Sequence, residues 1–257
     1  MRRALLPLGR PRFATALIAL WLGGVAPAVS QAQPRGGRGY LFEAPRGSVS
    51  LRLGASSPQA AGSVFDFVSR QLTVDRGDYR GAAIAADINI AHSPRIETLL
   101  SFASASRRVG SEYRNFVDND DQPIEQATSF RRTPLTAGVR LNLVSSGRRV
   151  GRLAWVPTAV VPWVAAGGGV TNYRFQQNGD FIDFRTNDVF TSTLTSSGWA
   201  PTAFGAAGVS WRVRPSIALL SELRYEMAHA PLSRDFDGFD RIDLSALGVT
   251  AGLQFHF

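Results

Sequence analysis

Cysteine is absent from the sequence, and so is lysine. Without cysteine there is no disulfide scaffold, no thiolate metal site and no thiol nucleophile. Without lysine every fixed positive charge is an arginine, whose planar fork pairs bidentately with carboxylate or phosphate. Histidine is scarce: His92, His229 and His256 are scattered along the chain and form no metal-binding spacing. Long apolar runs are nearly missing as well. The one candidate is "FATALIALWLGGV" near the N-terminus, and nothing else approaches the roughly 18 consecutive apolar residues of a transmembrane helix. A helical membrane protein is thereby excluded. A membrane-spanning barrel is not, because alternating strands escape hydropathy windows.

The N-terminal run follows Arg2, Arg3, Arg10 and Arg12 and precedes the small-residue stretch "APAVSQAQ". A basic region, a short apolar core and small residues make a secretory signal peptide. Cleavage after Ala28 or Ala32 fits; Ala32 is favoured because Pro27 lies beside the earlier bond, so residues 1–32 are assigned to the signal. Residues 33–46, rich in Gly, Pro and Arg, read as a flexible lead-in, and 47–257 as one domain. The formal charge of +8 includes four signal arginines, which leaves +4 on the exported chain. That surplus suits an anionic lipid surface, and export argues against a nucleic-acid partner.

From Gly47 onward, period-two segments recur between turn signals. They cover Ser48–Ala55, Arg80–Ala91, Arg95–Ala105, Phe130–Val144, Leu153–Tyr173, Trp199–Val213, Ser216–Met227 and a last strand from near Ile242 to Phe257. The third is imperfect, with Leu99 on the Glu97 face, and the fifth is blurred at Val160-Val161, where a bulge is expected. The connections fall into two alternating classes. "HSP", "SSGRRVG" and "RVRP" are short; Ser56–Tyr79, Arg107–Thr128, Arg174–Gly198 and Ala228–Arg241 are long and polar. Strict alternation, long first, predicts an all-β fold: a closed antiparallel eight-stranded transmembrane β-barrel with short periplasmic turns and long extracellular loops. Ten strands remain open if "FTSTLTS" (Phe190–Ser196) pairs within the membrane.

Trp199 and Trp211 share a face, twelve residues apart. At about 3.3 Å per residue and a tilt near 40°, they are roughly 30 Å apart in height, about the thickness of a bilayer's hydrocarbon. With Trp155, Tyr225 and Phe255 they are expected to form aromatic girdles on the lipid face. The opposite face carries Arg52, Asp87, Glu97, Arg140, Glu222, Arg224 and Glu226. In a lumen that side chains can fill, such charges must pair, so an arginine–carboxylate network without an open channel is expected.

The segments "GSVSLRLG", "SIALLSELRYE" and "IDLSALGVTAGLQFHF", with the loop order around them, resemble the outer-membrane β-barrel superfamily of Gram-negative bacteria. The resemblance is to eight-stranded barrels of the OmpA transmembrane-domain, OmpX, OmpW and opacity-protein types. It implies residence in the cell outer membrane as a monomer among lipopolysaccharide and phospholipid. It also implies that Phe257, with Phe255 and Leu253, is the signal read by the barrel-assembly machinery. Three functions follow as expectations: a plugged barrel acting structurally or through surface loops (adhesion or envelope integrity), an OmpW-like passage for small hydrophobic molecules, and a lipid A deacylase of the PagL type. For adhesion the loops offer Phe65, Phe67, Phe116, Phe181, Phe184 and Phe190. For the enzyme, His229 and Ser233 depart from that type's His-x-Ser-Asn signature, so no enzyme is expected. Neither is a metal or cofactor: "DNDDQPIE" lacks the order and the later Glu of a calcium loop, and "AAGGGV" lacks the Lys of a phosphate loop. Its glycines are expected to let the wall bend.

Overall fold

The computed structural model describes residues 39–118, 121–183, 185–186 and 188–257. The expected signal peptide, the first part of the lead-in and Phe184 lie outside these residues. Eleven strands form: β1 (Gly47–Pro58), β2 (Gly81–Ala91), β3 (Ile96–Val117), β4 (Pro123–Asn142), β5 (Gly147–Val150), β6 (Ala154–Pro157), β7 (Val160–Ile182), β8 (Val189–Arg214), β9 (Ile217–Ala230), β10 (Ile242–Asp243) and β11 (Ala246–His256). Among the described residues one α-helix, the nine-residue α1 (Ser63–Gln71), lies between β1 and β2.

Eight of the strands close a ring. Each of β1, β2, β3, β4, β7, β8, β9 and β11 pairs antiparallel with the next, and β11 returns to β1 through Ser48↔His256 and Ser57↔Leu247. Ring closure satisfies the edge groups that an open sheet would leave unpaired. Phe257 extends the closing pair: its carbonyl accepts from Arg46 N at 2.7 Å and its N–H donates to Gly47 O at 3.1 Å.

Side chains sort by parity, as a pleated strand requires. On β11, Leu247, Val249, Leu253 and Phe255 are exposed outside, while Thr250 and Gln254 are buried inside. The same division runs round the ring: Leu51, Ile88, Leu100, Val139, Val164 and Leu219 all face outward and stand exposed. A continuous belt of this kind is untenable in water, where exposed apolar patches rarely exceed a few hundred Å². It is the surface of a barrel that spans a membrane.

The ring is uneven in height. β3, β4, β7 and β8 have 22, 20, 23 and 26 residues, whereas β1, β2, β9 and β11 have 12, 11, 14 and 11. Two expected long loops are therefore mostly strand. Residues 107–117 and 123–128 continue β3 and β4, and 174–182 and 189–198 continue β7 and β8. The stretch Phe190–Ser196 belongs to β8, paired with β7 from Phe181↔Phe190 to Phe175↔Ser196, so the ring keeps eight strands.

Two further expectations are corrected. No bulge occurs at Val160-Val161, where the register Val160↔Trp211, Val161↔Ser210 is continuous; the irregularities lie at Glu112/Val117 and Arg212/Arg214. The expected fifth strand also divides. "GRRV", expected in the short turn "SSGRRVG", pairs with "AWVP" as the separate hairpin β5–β6, so that turn is no short one, and the ring strand starts only at Val160, after Pro157 has ended the hairpin. The "AAGGGV" glycines mark close approach: a Cβ on Gly169 would lie 2.2 Å from Leu135 O on β4.

Candidate functional site

Inside the ring, period-two alternation places one side chain from each strand at each level. Their polar atoms form three connected tiers. At the end bearing the short turns, Asn142 Nδ2 donates to Glu97 at 2.8 Å, Arg140 donates to Ser210 Oγ at 2.8 Å, Ser210 to Gln254 at 3.0 Å, and Gln254 to Ser48 at 2.8 Å. Arg140 and Glu97 stand 3.8 Å apart. In the middle, Arg52 bridges Asp87 at 2.7 Å and Glu222 at 2.5 Å and also donates to Thr250; Ser50 and Ser101 both donate to Asp87 at 2.7 Å. Above it, Arg224 and Arg132 each reach Glu226 at 2.9 Å, and Arg224 also donates to Thr136.

All seven side chains of the expected network thus lie in the lumen, each with a polar partner in its own tier. Buried ions carry a desolvation penalty of several kcal/mol each, offset only by such multiple pairing. Sequence reasoning missed three lumen residues. Arg132 has the same parity as Arg140, yet sits at the blurred start of its segment beside Arg131. Trp163 and Phe204 bring aromatic faces into the lumen, beneath Arg140 at 4.4 Å and Arg224 at 3.7 Å respectively. They pack with Leu99, Ala165, Ala206 and Leu220, which accounts for Leu99 falling on the polar face. Among Arg52, Arg132, Glu222, Arg224 and Glu226 lies a chamber of about 50 Å³. That holds a water or two, not a metabolite.

The outer end is filled by apolar side chains. α1 lays Val64, Phe65 and Val68 into the mouth, and Phe65 meets Tyr79, Phe130 and Phe175 edge to face, with centroids 5.3–5.7 Å apart. Phe236, in a 3₁₀ turn at Arg234–Phe236, packs on Phe175 at 5.4 Å. Arg76 pairs with Asp66 and pins the helix to the turn that carries Tyr79. Burial pushes the Tyr79 hydroxyl up to about 12. Of the described loop phenylalanines, Phe65 and Phe181 are buried, Phe67 and Phe116 are partly covered by this core, and Phe190 is exposed, with Phe181 stacked on it.

At the opposite end the β5–β6 hairpin carries Trp155, which is expected in a lipid-facing girdle but is 6 % exposed. Its backbone pairs with Leu41, and its indole lies against Gly147, where a Cβ would come within 2.5 Å. The hairpin stands outside the ring ladder as a sheet of its own. Trp199 and Trp211 do stand outside, each 62 % exposed, and Phe255 and Tyr225 share that surface, Tyr225 accepting a hydrogen bond from Gln59.

The enzyme candidates do not converge. His229 faces Asp243 at 3.5 Å, whereas Ser233 Oγ donates to Thr195 O at 2.6 Å. Among the described residues, no three His, Asp or Glu side chains group as metal ligands.

An even antiparallel ring, an apolar exterior belt and a polar lumen now stand together. This is the build of an outer-membrane β-barrel. No protein-family model and no curated protein matches the chain. Among solved structures, Neisserial surface protein A is similar at 12% identity, over 82% of this chain and 97% of its own, with a TM-score of 0.46. The outer membrane protein OprG of Pseudomonas aeruginosa is similar at 11% identity, over 83% and 97%, with a TM-score of 0.46. The attachment invasion locus protein Ail of Yersinia pestis is similar at 13% identity, over 82% and 99%, with a TM-score of 0.40.

Proposed function

We propose that the protein is a plugged outer-membrane barrel that acts as a structural element of the envelope, through its wall and its outer end rather than through its lumen. The observation that carries this reading is the double occlusion of the ring. Side-chain tiers anchored on Arg52, Arg140 and Arg224 cross the lumen, and the aromatic core under α1 fills the mouth above them. A solute passing through would have to break buried ion pairs, whose partners cannot be left single without a cost of about 3–5 kcal/mol each. The partner of such a barrel is the lipid around it.

Planar-bilayer recording of the purified full chain tests the proposal. Silence over long recordings, from protein that migrates as the folded form on unheated gels, is the expected result. A stable, large, stepwise conductance would overturn the proposal in favour of a passage.

A further inference from the structure

The outer wall carries a feature that neither the lumen nor the plug uses. On the tall side, the register sets Arg131 of β4 directly opposite Arg174 of β7. Both are exposed and belong to the outward parity, in step with Leu135 and Val170 below them. On the other flank of β4, Arg108 of β3 stands opposite Ser129, which lies two residues from Arg131 on the same face, so it is a diagonal neighbour. Like charges directly opposite on antiparallel strands destabilise a sheet. Among the described residues no carboxylate pairs with any of the three. The nearest acidic rung, Glu112 opposite Glu125, lies four residues beyond Arg108, roughly 13 Å along the strand. Arg107 is occupied elsewhere, donating to Asp78 O.

Height decides what such a cluster can meet. Trp199 of β8 pairs with Asn172, two residues below Arg174, and Ser197 pairs with Arg174 itself. The arginines therefore sit one outward rung above the exposed indole. The next rung down is apolar, with Leu135, Val170 and Pro201 in register. Indoles settle at the boundary between hydrocarbon and headgroup, so a rung above Trp199 is at the level of outer-leaflet phosphates.

The geometry points to a lipid-phosphate site on the outer wall: Arg108, Arg131 and Arg174 hold a phosphate group of a phosphorylated glycolipid of the outer leaflet, its acyl chains lying on the apolar wall below. This rests on the structural-barrel reading and gives that barrel its specific lipid contact. Arginine forks match phosphate oxygens bidentately, and an anion between Arg131 and Arg174 turns a repulsive pair into a bridged one. The occupant is a lipid rather than a soluble anion, because the cluster is continuous with the hydrocarbon-facing surface.

The test uses the full chain in phosphatidylcholine vesicles containing either bisphosphorylated lipid A or the same lipid dephosphorylated, and in plain vesicles with inorganic phosphate or heparin outside. Retention of the lipid through gentle solubilisation and the thermal unfolding midpoint are read together. Expected is about tenfold greater retention of the phosphorylated lipid, abolished in Arg131→Gln/Arg174→Gln and kept in Arg148→Gln/Arg149→Gln, whose arginines lie on the β5–β6 hairpin. The midpoint supplies a sign that a merely structural role would not give. Arg174→Gln should raise it in neutral vesicles, by removing the like-charge pair, and lower it relative to wild type in lipid A vesicles. Equal retention of both lipids, an unchanged double variant, or equal protection by heparin in plain vesicles would overturn the site. Conductance silence is indifferent to all of these arms, so the plugged-barrel reading stands or falls separately.

Discussion

Arg52 reaches two carboxylates on two different strands and is itself 1 % exposed. Truncation to Met would leave Asp87 and Glu222 buried with their main counter-charge gone, and a broken buried pair costs about 3–5 kcal/mol. Equilibrium unfolding in urea should show that loss for Arg52→Met. The triple change Arg52→Met/Asp87→Asn/Glu222→Gln should recover much of it, because no charge is then stranded. A triple variant as unstable as the single one would mean that shape, not charge, sets the cost. Gly169→Val is a second residue-scale prediction: its side chain would begin 2.2 Å from Leu135 O, so the folded fraction on unheated gels should fall sharply. Residue identities inside the ring were legible where parity was clean, as at Arg140, Glu222, Arg224 and Glu226. They were not legible where a side chain of the wrong class shares the polar face. Trp163 and Phe204 look lipid-facing by type, and the guanidinium groups stacked on them, with the apolar cluster around Leu99 and Leu220, explain their place inside.

At the level of elements, α1 was the least legible. "SVFDFVSRQ" is about two and a half turns long and lies in a polar connection, too short to show a helical period against its background. Its apolar face has meaning only once β4 and β7 rise far enough to bring Phe130 and Phe175 beside Phe65, a height set by strand extension that the loop composition disguised. Phe65→Ala should remove about 3–5 kcal/mol from the docking of this element. In hydrogen exchange that predicts faster exchange across 60–79 with protection in β1 and β11 unchanged; uniform loss round the ring would mean the plug and barrel unfold as one. The plug also carries a pH signature. Burial raises the Tyr79 hydroxyl to about 12 and raises Tyr113 in the same direction, so the folded plug favours their neutral forms. Its stability is complete below the ordinary tyrosine value near 10 and is lost as pH climbs through about 12. With lysine absent, no ammonium titration obscures that window. Tyr79→Phe should weaken the dependence and Tyr79→Phe/Tyr113→Phe remove it, read as exchange within 60–79 between pH 9 and 11.

For the whole molecule, the strand count and the two ends followed from the alternation of connections, because a closed antiparallel ring must return each strand to the end it left. What the alternation could not convey is that the ends are closed by different materials. The hairpin β5–β6 and Leu41 lie at one end, an aromatic core fills the other, and ion pairs cross the lumen between them. These layers are not equivalent. The lumen tiers are fixed to ring strands whose register joins residues as distant as Ser48 and His256, so they cannot open without the ring. The outer core depends on one short helix and can. If the lumen tiers are the seal, replacing residues 60–78 by a short flexible Gly–Ser linker should leave planar bilayers silent, even though the mouth is then uncovered. The variant should still migrate as the folded form on unheated gels, since β1–β2 pairing begins at Ser56↔Gly81 and does not use the deleted segment. Stepwise conductance from that folded variant would place the seal in the plug and make its undocking, rather than the ion pairs, the event that governs passage.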